Sequence, residues 1–170
     1  LVEPGDKVVL CVAGYFGTRM VDVAGRCGAN LTVMNGPWGE PFELDAIRDT
    51  LKQVRPRVLG IVHAETSTGC LQPIAELGKL CREFDALLVT DMVTSLGCVP
   101  VKLDEWGVDA AFSCSQKGLS CPPGLSPVSV GERGASAGYR GVRAVARAWN
   151  ADGPRGKHQR DTGARPGHCQ

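Results

Sequence analysis

The sequence predicts an α/β fold, a mainly parallel sheet flanked by helices. Two observations carry the prediction. Short, continuous apolar runs rich in β-branched residues alternate with stretches of helical period through the first 130 residues. The connections between them are short, and continuous apolar runs suit strands covered on both faces.

Residues 7–13 (KVVLCVA) read as a buried strand and residues 31–34 as a short second one. Leu44, Ile47, Leu51 and Val54 recur at i, i+3, i+7 and i+10, the spacing of one helical face. Residues 57–63 (RVLGIVH) form the next strand. Pro73 suits a first helical position, which has no use for an amide hydrogen, and Ile74, Leu77, Cys81 and Phe84 follow at helical spacing. Residues 86–91 (ALLVTD), 109–113 (DAAFS) and 126–130 complete the strands. In such sheets ligands sit beyond the carboxyl ends of the strands. Those ends are polar here: 63–69 (HAETSTG), Asp91, and 115–118 (SQKG).

A chain of 170 residues, 43% hydrophobic, has room for one domain with a core. Its net charge of +1 offers no reason to expect nucleic acid or an anionic membrane as partner. No apolar run approaches the roughly 20 residues of a membrane-spanning helix, and no signal peptide is visible. The eight cysteines form no C-x-x-C pair, so buried or half-buried free thiols in a reducing, intracellular compartment are expected. Residues 131–170 hold eight of the 19 basic side chains and three of the 18 acidic ones, and are rich in Gly, Arg and Ala. The expected division is 1–132 as a domain and 133–170 as an atypical, disordered tail, with Val142, Val145 and Trp149 marking at most a turn or two of helix.

No G-x-G-x-x-G follows the first strand, and no G-x-x-x-x-G-K-[ST] occurs. S-x-x-K fails because position 114 is Cys, and two of the three histidines, His158 and His168, lie in the tail. What remains is an acid at one strand end, Asp91, and a lysine after a later one, Lys117, followed by a Gly- and Pro-rich loop. A carboxylate at the edge of an apolar layer needs a cationic or hydrogen-bonding partner. A lysine held in a constrained loop can serve as an amine nucleophile. Taken singly, Asp91 also reads as a turn cap and Lys117 as a solvated loop residue. Together they are the acid and amine that pyridoxal 5'-phosphate requires of a protein.

Residues 3–6 (EPGD), 14–19 (GYFGTR), 63–73 (HAETSTGCLQP), 87–97 (LLVTDMVTSLG) and 113–124 (SCSQKGLSCPPG) carry a resemblance. Through about residue 132 the chain resembles the central cofactor domain of class V aminotransferases, nearest the alanine–glyoxylate (serine–pyruvate) group. The last two stretches are the specific ones, placing a strand-end Asp 26 residues before an S-Q-K lysine. The resemblance implies an incomplete large domain of the PLP-dependent fold type I. It implies that Lys117 holds the cofactor covalently and then shuttles the substrate proton, and that Asp91 pairs with the ring nitrogen. It places Phe16 on one ring face, where the group usually has tryptophan, and Val93 on the other. Thr66 falls beside the ring and Gln116 at the phosphate, while His63 reads as a structural strand-end histidine.

The resemblance further implies transamination from alanine or serine to glyoxylate or pyruvate, with small amino acid and 2-oxo acid substrates, a homodimer, and a peroxisomal setting, mitochondrion or cytosol being alternatives. The family's phosphate loop, its substrate-carboxylate arginine and its cross-dimer segment have no counterpart in these residues. The missing initiator Met and the abrupt change near residue 132 suggest a fragment with weak or no activity, the tail resembling translation of a wrong frame or an intron. A kynureninase or cysteine desulfurase of the same fold, or a non-catalytic truncated partner of an intact subunit, are the competing readings.

Overall fold

Continuous apolar strands need helices on both faces, and the computed structural model, which describes residues 1–137, supplies them. Strand β1 (Lys7–Val12) leads through helix α1 (Tyr15–Arg26) to β2 (Asn30–Asn35). Helix α2 (Leu44–Val54) precedes β3 (Val58–Val62), and α3 (Ala75–Glu83) precedes β4 (Leu87–Asp91). A short α4 (Leu103–Trp106), β5 (Ala110–Phe112), β6 (Val128–Val130) and α5 (Glu132–Ser136) follow. The six strands run in the order β2-β1-β3-β4-β5-β6. All pairings are parallel except β5 with β6. No described helix is long and apolar enough to cross a membrane.

Side chains alternate across a strand, and here both sets are buried. Val9, Cys11, Leu59, Ile61 and Leu88 join Ile47 and Leu51 of α2 and Leu77, Leu80 and Cys81 of α3 in the larger core. Val8, Leu10, Val58 and Leu87 form a second core, against which Met20, Val21 and Ala24 of α1 pack. Gly60 makes room for this second layer, since a Cβ there would stand 2.4 Å from Leu10 Cδ2 and 3.1 Å from Met20 Cε. Close approach explains Gly78 too: its Cβ would fall 1.6 Å from the Trp106 carbonyl oxygen, so α3 lies directly on α4.

Several elements differ from the sequence reading. Helix α1, with Gly17 and Gly25 inside it, did not register as a helix. Its packing supplies what propensity lacks: a Cβ at Gly17 would lie 3.0 Å from Val12 Cα, so the bare glycine lets the helix ride close to the end of β1. Pro73 does not open α3; the helix begins at Ala75, with Ile74 as its N-cap. The composition change at 132/133 falls inside α5, and Arg133 is tied to the sheet by hydrogen bonds to Asp109, Asp85 and the Ala86 carbonyl. The expectations for Val142, Val145, Trp149 and a disordered tail lie, from residue 138 on, outside the described residues. Of the seven described cysteines, all free, Cys27, Cys98 and Cys121 are exposed, so the expectation of buried or half-buried thiols holds for only four.

Candidate active site

The chain leaves β1 toward β2 on one side and passes from β3 to β4 on the other, which opens a crevice between β1 and β3 at their carboxyl ends. The three polar clusters foreseen at strand ends do share this rim: 63–69 after β3, Asp91 closing β4, and 115–118 after β5. The first turn of α1, just after β1, brings Phe16 to the same rim.

Asp91 is 6% exposed. Its Oδ1 accepts a 2.8 Å hydrogen bond from the Val93 amide, the one hydrogen bond its side chain makes among the described residues. Burial pushes its carboxyl above the ordinary carboxylate range; the Val93 amide works against that shift, Glu65 reinforces it, and Lys117 opposes it. Lys117 is half-buried, and its Nζ lies 5.9 Å from the centroid of the Phe16 ring, within reach of a cation–π contact. Phe16 itself is half-buried and meets Tyr15 edge-on, ring centroids 5.4 Å apart.

The Lys117 loop is braced on both sides. Ser115 exchanges backbone bonds with Leu125 and Cys121, its hydroxyl donates to the Pro122 carbonyl at 2.7 Å, and the Ser120 amide closes back on the Lys117 carbonyl at 2.9 Å. Beneath it runs the turn after β4. Gly97 sits there at φ +85°, a conformation that favours glycine, and a Cβ on it would stand 2.7 Å from the Gly118 oxygen. Asp91 thus closes β4 and Lys117 stands in the loop after the neighbouring β5, and the loops that follow these two strands touch.

Val93 is half-buried and holds Asp91 through its backbone. Thr66 is exposed, and its hydroxyl meets that of Thr94 from the turn after β4. Gln116 is exposed and its side chain makes no hydrogen bond among the described residues, so the structure does not join it to the others. His63 is 4% exposed, stacks edge-on against Trp106 at 5.4 Å and has its proton affinity lowered by burial. The string G-A-S-A-G at 134–138 fits G-x-S-x-G, but Ser136 closes the short helix α5 instead of standing on a strand-to-helix elbow.

Glu65 escaped the sequence reading. It is 5% exposed and collects the amides of Phe16, Gly17 and Ser67 together with the Ser67 hydroxyl. The available signal was its place: an acid three residues after an entirely buried strand, with Ser67 two residues on.

An amine, an acid and an aromatic face on one rim can hold and polarise a planar carbonyl compound. The family model described as aminotransferase class-V matches residues 1–136. The chain belongs to the class-V aminotransferases. It is 40% identical over 133 residues to the (S)-ureidoglycine–glyoxylate transaminase of Bacillus subtilis, covering 78% of this chain and 32% of that protein. It is 40% identical over 139 residues to the alanine–glyoxylate aminotransferase of Rattus norvegicus, covering 82% and 34%. Among solved structures, the alanine–glyoxylate aminotransferase of Nostoc sp. superposes with a TM-score of 0.81 at 50% identity, over 87% of this chain and 42% of that one. The chain spans about a third of the length of these curated relatives. The fold is accordingly part of the large domain of the fold type I enzymes, a mostly parallel sheet with flanking helices.

Proposed function

We propose that the intact class-V protein is a pyridoxal-phosphate-dependent transaminase, moving an amino group from a small amino acid such as alanine or serine to glyoxylate or pyruvate. The observation that carries this reading is Lys117 facing the Phe16 ring beside the buried Asp91. The names of the Bacillus and Rattus relatives support glyoxylate as acceptor.

The residues fit the cofactor. Asp91 is a buried carboxylate with one hydrogen bond, leaving an acceptor suited to a protonated ring nitrogen. Pyridoxal phosphate, when bound, supplies an electron sink for carbanion charge. The chain's own groups do the rest. Lys117 Nζ would offer the amine that anchors the cofactor and would hold and return the substrate α-proton. Asp91 would pair with the protonated ring nitrogen, its preorganised charge helping the ring to accept electrons. By the family resemblance, Phe16 and Val93 would offer apolar faces to the cofactor ring, Thr66 a hydroxyl and Gln116 a donor for its phosphate.

The 170-residue chain alone is proposed to be weakly active or inactive, and the intact protein to be a homodimer in a reducing compartment, the peroxisome by resemblance. The exposure of Leu125 (71%), in the loop before β6, and of Val128 (66%), on that outer strand, supports a second reading, in which the chain pairs with an intact subunit without catalysing. Borohydride reduction of the purified chain with pyridoxal phosphate, followed by peptide mass spectrometry, tests the site. A selective pyridoxyl adduct at Lys117, absent from Lys117→Ala, is expected. A folded chain that is not labelled there would sink the reading. Substrate profiling of an intact relative separates transaminase from desulfurase or kynureninase chemistry.

A further inference from the structure

We propose that Glu65 is a positioning residue for the lysine site: it pins the first turn of α1 to the end of β3, and thereby sets where the Phe16 ring stands before Lys117. The inference rests on the reading of Lys117 as the cofactor lysine.

An α-helix leaves its first amides without partners inside the helix, and a Ser, Thr, Asp or Asn just before it commonly supplies one. Helix α1 is preceded by Gly14, which has no side chain to offer. Its amides are met from another strand end. Ser67 Oγ accepts from the Tyr15 amide at 2.9 Å. Glu65 accepts from Phe16 at 3.2 and 3.3 Å and from Gly17 at 3.2 Å. Ser67 is held in turn by Glu65, donating its amide at 3.1 Å and its hydroxyl at 2.7 Å. Three successive amides are thus satisfied by two side chains some 50 residues away in sequence.

The arrangement needs both its charge and its bare glycine. A carboxylate 5% exposed is tolerable because it faces the positive end of a 12-residue helix and gathers four donors. A Cβ on Gly14 would stand 2.3 Å from Glu65 Cγ and 2.7 Å from Ser67 Oγ, so glycine is what admits the pair. The backbone bonded by Glu65 is that of Phe16, whose ring lies 5.9 Å from Lys117 Nζ. The carboxylate also acts at a distance, favouring the protonated form of Asp91 against the pull of Lys117.

The test compares wild type, Glu65→Gln and Ser67→Ala in the full chain, with amide hydrogen exchange at residues 15–17, borohydride trapping at Lys117, and the pH titration of the adduct's absorbance before reduction. Glu65→Gln is expected to speed exchange at Phe16 and Gly17 about 10-fold or more, the loss of about 1.4 kcal/mol of local protection. It should slow trapping several-fold and move the titration to lower pH, because a negative charge has gone. Ser67→Ala keeps the charge, so it should loosen Tyr15 and slow trapping while leaving the titration in place. Faster exchange with unaltered trapping and titration would make Glu65 a helix cap only and overturn the proposal. Unchanged exchange would overturn it as well. Should Glu65→Gln fail to fold, Ser67→Ala decides alone by whether trapping slows. No adduct even in wild type would instead bring down the lysine reading, and this inference with it.

Discussion

Asp109 and Asp91, buried at opposite rims of the sheet, are treated in opposite ways. At the amino ends of the parallel strands, Asp6 meets Arg57 at 2.9 Å, and Asp109, 2% exposed, meets Arg133 at 3.0 Å and the Leu88 amide at 2.8 Å. Burial alone would raise the Asp6 carboxyl, but the Glu3 amide and the Arg57 guanidinium outweigh it and hold the group below its usual value. At the carboxyl ends Asp91, 6% exposed, lacks an arginine among the described residues and is pushed upward by burial. Nearby, the buried His63 Nδ1 and Ser95 Oγ have no hydrogen-bond partner among the described residues. Asp6 and Asp109 are tied down by arginines that hold the fold together, whereas Asp91, beside the proposed cofactor lysine, is kept short of partners.

The largest expected effect breaks the satisfied rim. Arg133→Ala strands the buried Asp109 and unties α5 from Asp85 and the Ala86 carbonyl. A loss of about 2–3 kcal/mol is expected in urea unfolding, below the fully buried case because Arg133 is 27% exposed. A loss under about 0.5 kcal/mol would mean that Asp109 and Asp91 do not differ in this way.

Asp91→Asn sharpens the contrast from the other side. With its folded-state affinity for protons raised, ionised Asp91 opposes folding at any pH above the usual carboxylate range. The neutral amide should therefore stabilise the cofactor-free chain, by about 0.5–2 kcal/mol, while weakening capture of pyridoxal phosphate. Thermal unfolding with and without cofactor reads both, and destabilisation of the cofactor-free chain would count against the reading.

The smallest effect concerns His63. Burial lowers its proton affinity from the ordinary 6.5, so below that pH the unfolded chain takes up a proton that the folded chain refuses. Stability should fall as pH drops through 6.5 toward the folded-state value, by at most about 1.4 kcal/mol per pH unit, and be flat above. His63→Phe, which keeps a ring against Trp106, should flatten the slope between pH 6.5 and 5 in urea titrations.

How much of this was legible can be seen strand by strand. β1, β3 and β4 are buried nearly throughout, so their apolar runs were readable without a partner in view. Helix α1 was not, because two of its positions are glycines, one there for contact with β1. Asp91 and Lys117 stood out because each breaks an apolar pattern at a strand end. Glu65 did the same but lay in a polar run, where nothing local distinguishes a buried acid from a solvated one.

By itself the sequence determined the strand order along the chain, the polar rim, and the acid and amine that match the class-V pattern, since these depend on residue type and spacing. Tertiary structure alone decided that β6 turns antiparallel, that Arg133 belongs to the sheet's far rim, and that Glu65 caps a helix some 50 residues away. Those outcomes depend on which groups meet after the chain folds back, and a hydrogen-bond partner distant in sequence leaves no periodic trace in the sequence between.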